Sequence, residues 1–138
     1  MKTLAVETAA EKDLHTLAEL NRQLIEDEGH DNPMNVEQLR ERMREFLRTD
    51  YAAYLFREGE AVRGYALVDH RRSPVYLRQF YICRDSRRQG YGRAAFAKLK
   101  ERLGADRIDI EVLYGNERGY AFWKSLGFAE RSVYMRLE

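Results

Sequence analysis

The chain has 138 residues, with 24 Lys+Arg against 23 Asp+Glu and a formal charge of +1. This length predicts one domain over residues 1–138, and 44% hydrophobic with 12% aromatic residues excludes a disordered chain. Near-neutral charge argues against a general nucleic-acid binder, no apolar run approaches the ~20 residues of a membrane span, and a single cysteine, Cys83, excludes an internal disulfide framework and fits a cytoplasmic setting.

Lys2 to Glu7 is strand-like. Thr8-Ala9-Ala10-Glu11 then has the spacing of a capping box. Leu14, Leu17, Ala18, Leu24 and Ile25 recur at helical spacing, so a first helix ends before Gly29. Asn35-Val36-Glu37-Gln38 repeats the capping signal, and Val36, Leu39, Met43, Phe46 and Leu47 form the apolar stripe of a second helix. Tyr51 to Arg57 and Ala61 to Asp69 predict an antiparallel hairpin through Glu58-Gly59-Glu60, with another strand over Val75 to Cys83. Gly90 to Leu103 predicts a helix stopped by Gly104. Ile108, Ile110 and Val112 alternate within a strand over Arg107 to Leu113. A short helix over Asn116 to Leu126 closes at Gly127, and alternation of Val133, Met135 and Leu137 predicts a final strand. The order β-α-α-β-β-β-α-β-α-β is that of a mixed α/β (α+β) sheet covered by helices.

The segment Arg84-Asp85-Ser86-Arg87-Arg88-Gln89-Gly90-Tyr91-Gly92-Arg93 joins a predicted strand to a predicted helix. The first amides of a helix lack internal partners, and glycine lets a phosphate approach them. Arg87, Arg88 and Arg93 add fork-shaped cationic donors. A ligand bearing a diphosphate follows. Gly90-x-Gly92-x-x-Ala95, with Asp109 or Glu111 downstream, also satisfies a relaxed dinucleotide fingerprint. That fingerprint belongs to the first βα turn of a parallel sheet, whereas here a hairpin and most of the chain precede it. The plainer alternative is a tight turn with solvated arginines, which a strand-to-helix junction flanked by arginines disfavours.

With these residues the sequence resembles the Gcn5-related N-acetyltransferase (GNAT) superfamily. Arg87-Arg88-Gln89-Gly90-Tyr91-Gly92 matches its acyl-CoA motif, and the segment from Asn116 through Phe122-Trp123 to Gly127-Phe128 is similar to its "Asn…Phe-Tyr…Gly-Phe" segment. The resemblance implies a mostly antiparallel sheet with a splayed cofactor cleft and helices on both faces. It implies that Gln89, Gly90, Tyr91, Gly92 and Arg93 hold the pyrophosphate of acetyl-CoA, with Arg87 and Arg88 flanking. It further implies that Phe80, Tyr81 and Ile82 meet the acetyl carbonyl and pantetheine arm, while Asn116 and the following helix, including Trp123, border the sulfur.

The departures from the family pattern lie where the proton moves. Gln79 aligns with a frequent Glu base, and a neutral amide orients but takes up no proton. Trp123 aligns with the usual thiolate-protonating Tyr, which leaves Tyr120, one helical turn earlier, as substitute donor or as an aromatic wall. The acidic run Glu26-Asp27-Glu28-Gly29-His30-Asp31 falls where the family lines its acceptor site, so Glu28 and His30 are candidate acceptor-binding residues or bases; a solvated loop accounts for the same residues. Cys83 reads as a small buried hydrophobe, and His15, His30 and His70 lack metal-ligand spacing.

The expected activity is acetyl transfer from acetyl-CoA to a primary amine of a small molecule or peptide, by direct attack in a ternary complex. Its rival is an acyl-CoA sensor without efficient chemistry. Homodimerisation through the sheet edge or C-terminal strand follows by family analogy. Locally the charge is uneven: residues 1–50 carry seven basic and twelve acidic groups, while residues 71–93 carry seven arginines and one acid, Asp85.

Overall fold

A computed structural model describes residues 3–138. The element order is β1 (Ala5–Thr8), α1 (Leu14–Glu28), α2 (Val36–Leu47), β2 (Tyr51–Glu58), β3 (Ala61–Asp69), β4 (Val75–Ile82), α3 (Tyr91–Leu103), β5 (Ile108–Asp109) and α4 (Glu117–Ser125). The strands lie in chain order in one sheet, antiparallel from β1 to β4, with β5 parallel to β4.

Alternation along the strands builds two cores. Tyr51, Ala53, Leu55, Tyr65, Leu67 and Tyr81 pack against α1 and α2, where Leu14, Leu17, Leu24 and Met43 are buried. Tyr54, Phe56, Ala66, Val68 and Leu77 pack against Ala95, Phe96 and Leu99 of α3. Trp123 and Phe128 join that second core from α4 and the residues after it. Each such large side chain contributes roughly 1.5–3 kcal/mol when buried, so helices on both faces hold the sheet.

Local signals decide several boundaries. The Asn35–Gln38 box forms reciprocally: Gln38 N–H donates to Asn35 Oδ1 and Asn35 N–H to Gln38 Oε1, both at 2.9 Å. Gly29 and Gly104 end α1 and α3 at positive φ, +64° and +61°. The Thr8–Glu11 box does not form. Thr8 stays in β1 opposite Tyr54 and its hydroxyl accepts from Arg102, while the Ala10 amide donates to Asp13 Oδ2 at 2.9 Å. The predicted first strand begins at Lys2, which lies outside the described residues.

Two strand expectations need correction. β5 covers only Ile108–Asp109 rather than Arg107 to Leu113, because the chain leaves β4 beyond those pairs. Residues 129–138 form no strand, so the final β of the predicted order is absent among the described residues. Their apolar side chains have no ladder partner in this chain, and Val133, Met135 and Leu137 are 81%, 84% and 101% exposed.

Candidate functional site

β4 and β5 pair only at Val75–Ile108 and Tyr76–Asp109. Beyond that point β4 runs on to Ile82 with β3 on one side and a gap on the other, so the sheet is splayed where Gln79, Phe80, Tyr81 and Ile82 lie. Phe122 of α4 enters this gap: its ring stacks on Phe80 at 6.1 Å between centroids and lies against Gly92, where an added Cβ would meet it at 3.1 Å. Close approach of α3 to α4 is thus tight at position 92, where any side chain would make the Phe122 ring give way by a few tenths of an ångström.

The loop into α3 is fixed from beneath. Tyr91 donates its phenol to Glu58 Oε1 at 2.6 Å, Arg63 meets the same carboxylate at 2.9 Å, and Arg63 also reaches the buried Ser86 Oγ at 3.3 Å. Ser86 donates to Asp85 Oδ1 at 3.2 Å, and Gln89 Nε2 donates to the Asp85 carbonyl at 3.0 Å. Arg88 and Gly90 take positive φ, 60° and 82°, a strained state for arginine. No side chain caps α3, and the amides of Gly92 and Arg93 have no partner among the described residues. A helix start of this kind, with Arg88 exposed beside it, suits an anionic diphosphate.

The opposite face of β4 has a different chemistry. A bulge between Leu67 and Val68 pairs Leu67 with Gln79 and Val68 with Leu77, leaving Arg78 unopposed. Arg78 and Gln79 consequently both reach the α1–α2 side. Tyr65, fully buried, donates its phenol to Gln79 Oε1 at 2.7 Å. The buried Asn21 lies beside the Tyr65 phenol and accepts from Arg42 Nη2 at 3.4 Å. Gln79 is thereby held with its NH2 group available as donor. Glu28 stands exposed at the end of α1, and partial desolvation by its neighbours pushes its carboxyl above the ordinary range; His30 opposes and Asp27 adds to that shift.

The Acetyltransferase (GNAT) family model matches residues 7–128. The chain belongs to that family. No curated protein sequence matches it. Among solved structures, this GNAT chain is similar to a possible acetyltransferase from Clostridium difficile 630, with a TM-score of 0.79 at 17% identity, covering 99% of this chain and 97% of that one. It is also similar to the aminoglycoside acetyltransferase AAC(6')-Iy in complex with a bisubstrate analogue, with a TM-score of 0.72 at 18% identity and 99% of both chains covered. A third is a predicted acetyltransferase with acetyl-CoA from Clostridium acetobutylicum, with a TM-score of 0.73 at 14% identity, covering 99% and 96%. At such identities the likeness carries the fold.

Within this GNAT frame the predicted site residues separate into groups. Phe80, Ile82, Gln89, Gly90, Tyr91, Gly92 and Arg93 gather about the splay and the start of α3, and Arg93 reaches Ser125 of α4 at 3.3 Å. Asn116 caps α4, accepting from the Gly119 amide at 3.0 Å. Trp123 packs among Phe80, Phe96, Phe122 and Phe128. Tyr81 points to the other face, donating to Gln23 Oε1 at 3.0 Å; burial first, then the Asp27 charge, pushes its phenol up to about 12.

Arg87 lies away from the helix start. It spans the Ile82 carbonyl at 3.0 Å and Asp27 at 2.5 Å, over the Tyr81 ring. Arg84 joins Glu26 at 3.0 Å and Asp27 at 2.7 Å. Burial raises the Asp27 pKa, but these two guanidiniums outweigh it and leave the carboxyl lowered. Much of the acidic run thus serves to dock α1 onto the end of β4. His30 Nδ1 accepts from the Asn32 amide at 3.1 Å, which occupies a lone pair a base would need. Tyr120 donates its phenol to Glu130, and that bond is the first cause of its raised pKa. Sequence reasoning missed Asn21, Arg42, Tyr65 and Arg78. Only the bulge brings the last of these to the site, and no local pattern announces it.

Proposed function

We propose that this GNAT protein transfers the acetyl group of acetyl-CoA to a primary amine by direct attack in a ternary complex. The splay of β4 from β5 beside an uncapped α3 carries the reading, because it joins a diphosphate cradle to an open strand edge. That the C. acetobutylicum relative holds acetyl-CoA and AAC(6')-Iy a CoA bisubstrate analogue supports the same donor. The amine nitrogen attacks the thioester carbonyl carbon, the C–S bond breaks, and the amine proton passes to a base. Backbone amides of the β4 edge at Phe80 to Ile82 stabilise the oxyanion. Gln79 orients the amine or carbonyl through its NH2 group, and Glu28, with its raised carboxyl, takes the proton.

Tyr120 is the donor to the departing thiolate in this reading. Its raised pKa keeps the phenol protonated, though it must release Glu130 to act. Tyr120→Phe is expected to lower kcat for CoA release; an unchanged kcat at every pH removes Tyr120 from the chemistry. The reading as a whole is tested by acetyl-CoA titration together with thiol release over an amine panel. Saturable binding with amine-dependent release is expected. Binding without release at any amine favours the sensor reading, to which the packing of half-buried Trp123 in an aromatic cluster also points.

We further propose one domain over residues 1–138, a cytoplasmic setting, and a homodimer formed through the exposed apolar residues after Phe128. No helix among the described residues is long and apolar enough to cross a membrane.

A further inference from the structure

Resting on the transferase reading, we propose that the acceptor is a small amine that also carries an anionic oxygen group, a carboxylate or a phosphate, held by Arg42 and Arg78 on the α1–α2 face beside Gln79. The two guanidiniums lie over one ring, Phe46, with carbons 5.5 and 5.2 Å from its centroid. Several other arginines on this side meet carboxylates: Arg44 meets Glu11 at 3.0 Å, Arg71 meets Asp69 at 3.0 Å, and Arg84 and Arg87 meet Asp27, whereas Arg40 of α2, like Arg42, has a buried Nε without a partner. Arg42 and Arg78 meet no carboxylate within 4.0 Å among the described residues. Their polar contacts are neutral and long, Arg42 to Asn21 and Arg78 to the Tyr51 hydroxyl, each 3.4 Å. Arg42 Nε is buried with no hydrogen-bond partner.

Arg42 is half-buried and Arg78 exposed beside it; the two cations repel, Arg42 loses hydration, and a ring face offsets only part of that. Burial, then Arg78, lowers the Arg42 pKa, so the pair is uncompensated as it stands. An oxyanion between the forks satisfies both charges and the orphaned Nε. The site is also bipolar. Glu28 acts on Tyr65 from α1, and Tyr65 in turn holds Gln79, so a base and an anion cradle flank one amide. A zwitterionic acceptor matches this arrangement, its amine toward Glu28 and its anion toward the arginines. The diphosphate cradle at α3 lies across the sheet and does not compete.

Matched acceptors test the proposal: β-alanine against β-alaninamide, and phosphoethanolamine against ethanolamine. For at least one pair, kcat/KM is expected to favour the anionic member by about tenfold or more. Which pair shows it distinguishes carboxylate from phosphate. Arg42→Gln and Arg78→Gln each collapse that ratio, and Arg42→Lys restores it in part. Arg78→Gln leaves the buried Arg42–Asn21 contact in place, so its ratio decides should Arg42→Gln not fold. Titration of the Arg42 and Arg78 side-chain N–H resonances with the same four amines reads binding without turnover. Saturable shifts with an anionic member but no transfer overturn the transferase reading and keep the site. Equal preference for the neutral members, a ratio that survives Arg78→Gln, or no shift with either anion overturns the site.

Discussion

Gln79 looks like a lost catalytic carboxylate when only its place in the strand is known. With the Tyr65 phenol donating into Oε1, it is instead a fixed hydrogen-bond donor, and the base must come from elsewhere. Glu28 is the carboxylate whose surroundings raise its proton affinity above the ordinary 4.5. A raised pKa keeps the group protonated to higher pH, so its basic form is lost as pH falls through that raised value. The free amine also titrates, and the two protonations together steepen the acid limb of kcat/KM. Glu28→Gln is expected to lower kcat by about a hundredfold and to reduce the limb to the single protonation of the amine. Pre-steady-state and steady-state rates across pH check this. A limb of unchanged steepness with unchanged kcat removes Glu28 as base.

At the scale of the element, β4 does most of the work, and its details explain what the sequence disclosed. Alternation found the strand and its hairpin partners, and the reciprocal Asn35–Gln38 box and Gly104 set helix ends through contacts within four residues. The Thr8 signal failed because a tertiary partner, Arg102, took the hydroxyl that the local pattern reserved for an amide. Simple alternation also puts Arg78 and Gln79 on opposite faces; the bulge places both toward α1 and α2, so half of the proposed acceptor face was illegible. Register at the cleft rests on Gly64, paired with Ile82. A Cβ there would stand 2.0 Å from the Tyr81 carbonyl oxygen and 3.1 Å from Ile82 Cα, backbone atoms that cannot step aside. Gly64→Ala is expected to cost about 3 kcal/mol, read as a lower urea midpoint at constant m. It should also weaken acetyl-CoA binding, since β3 and β4 must part beside the splay. An unaltered midpoint shows that the strands accommodate the methyl group.

For the whole molecule, the near-zero charge arises from a division of labour finer than an acidic half facing a basic half. Acidic α1 neutralises Arg84 and Arg87 and Asp69 takes Arg71, while Arg42, Arg78, Arg88 and Arg93 are among the arginines that meet no carboxylate within 4.0 Å among the described residues. The hydrophobic balance has a similar remainder. Residues 129–138 keep the alternation of a strand, yet Val133, Tyr134, Met135 and Leu137 are 81–101% exposed, and Leu113 and Tyr114, after β5, are exposed as well. β5 ends the sheet with one edge paired and the other bare. A bare edge and an unpaired apolar segment with strand alternation in one chain are complementary, and a two-fold exchange between copies satisfies both at once. Light scattering is therefore expected to give a dimer at micromolar concentration, and the double substitution Met135→Asp with Leu137→Asp a folded monomer. Hydrogen exchange at residues 131–138 should be protected in the dimer and fast in the variant. A wild-type monomer, or a dimer that survives both aspartates, places the function of this segment elsewhere.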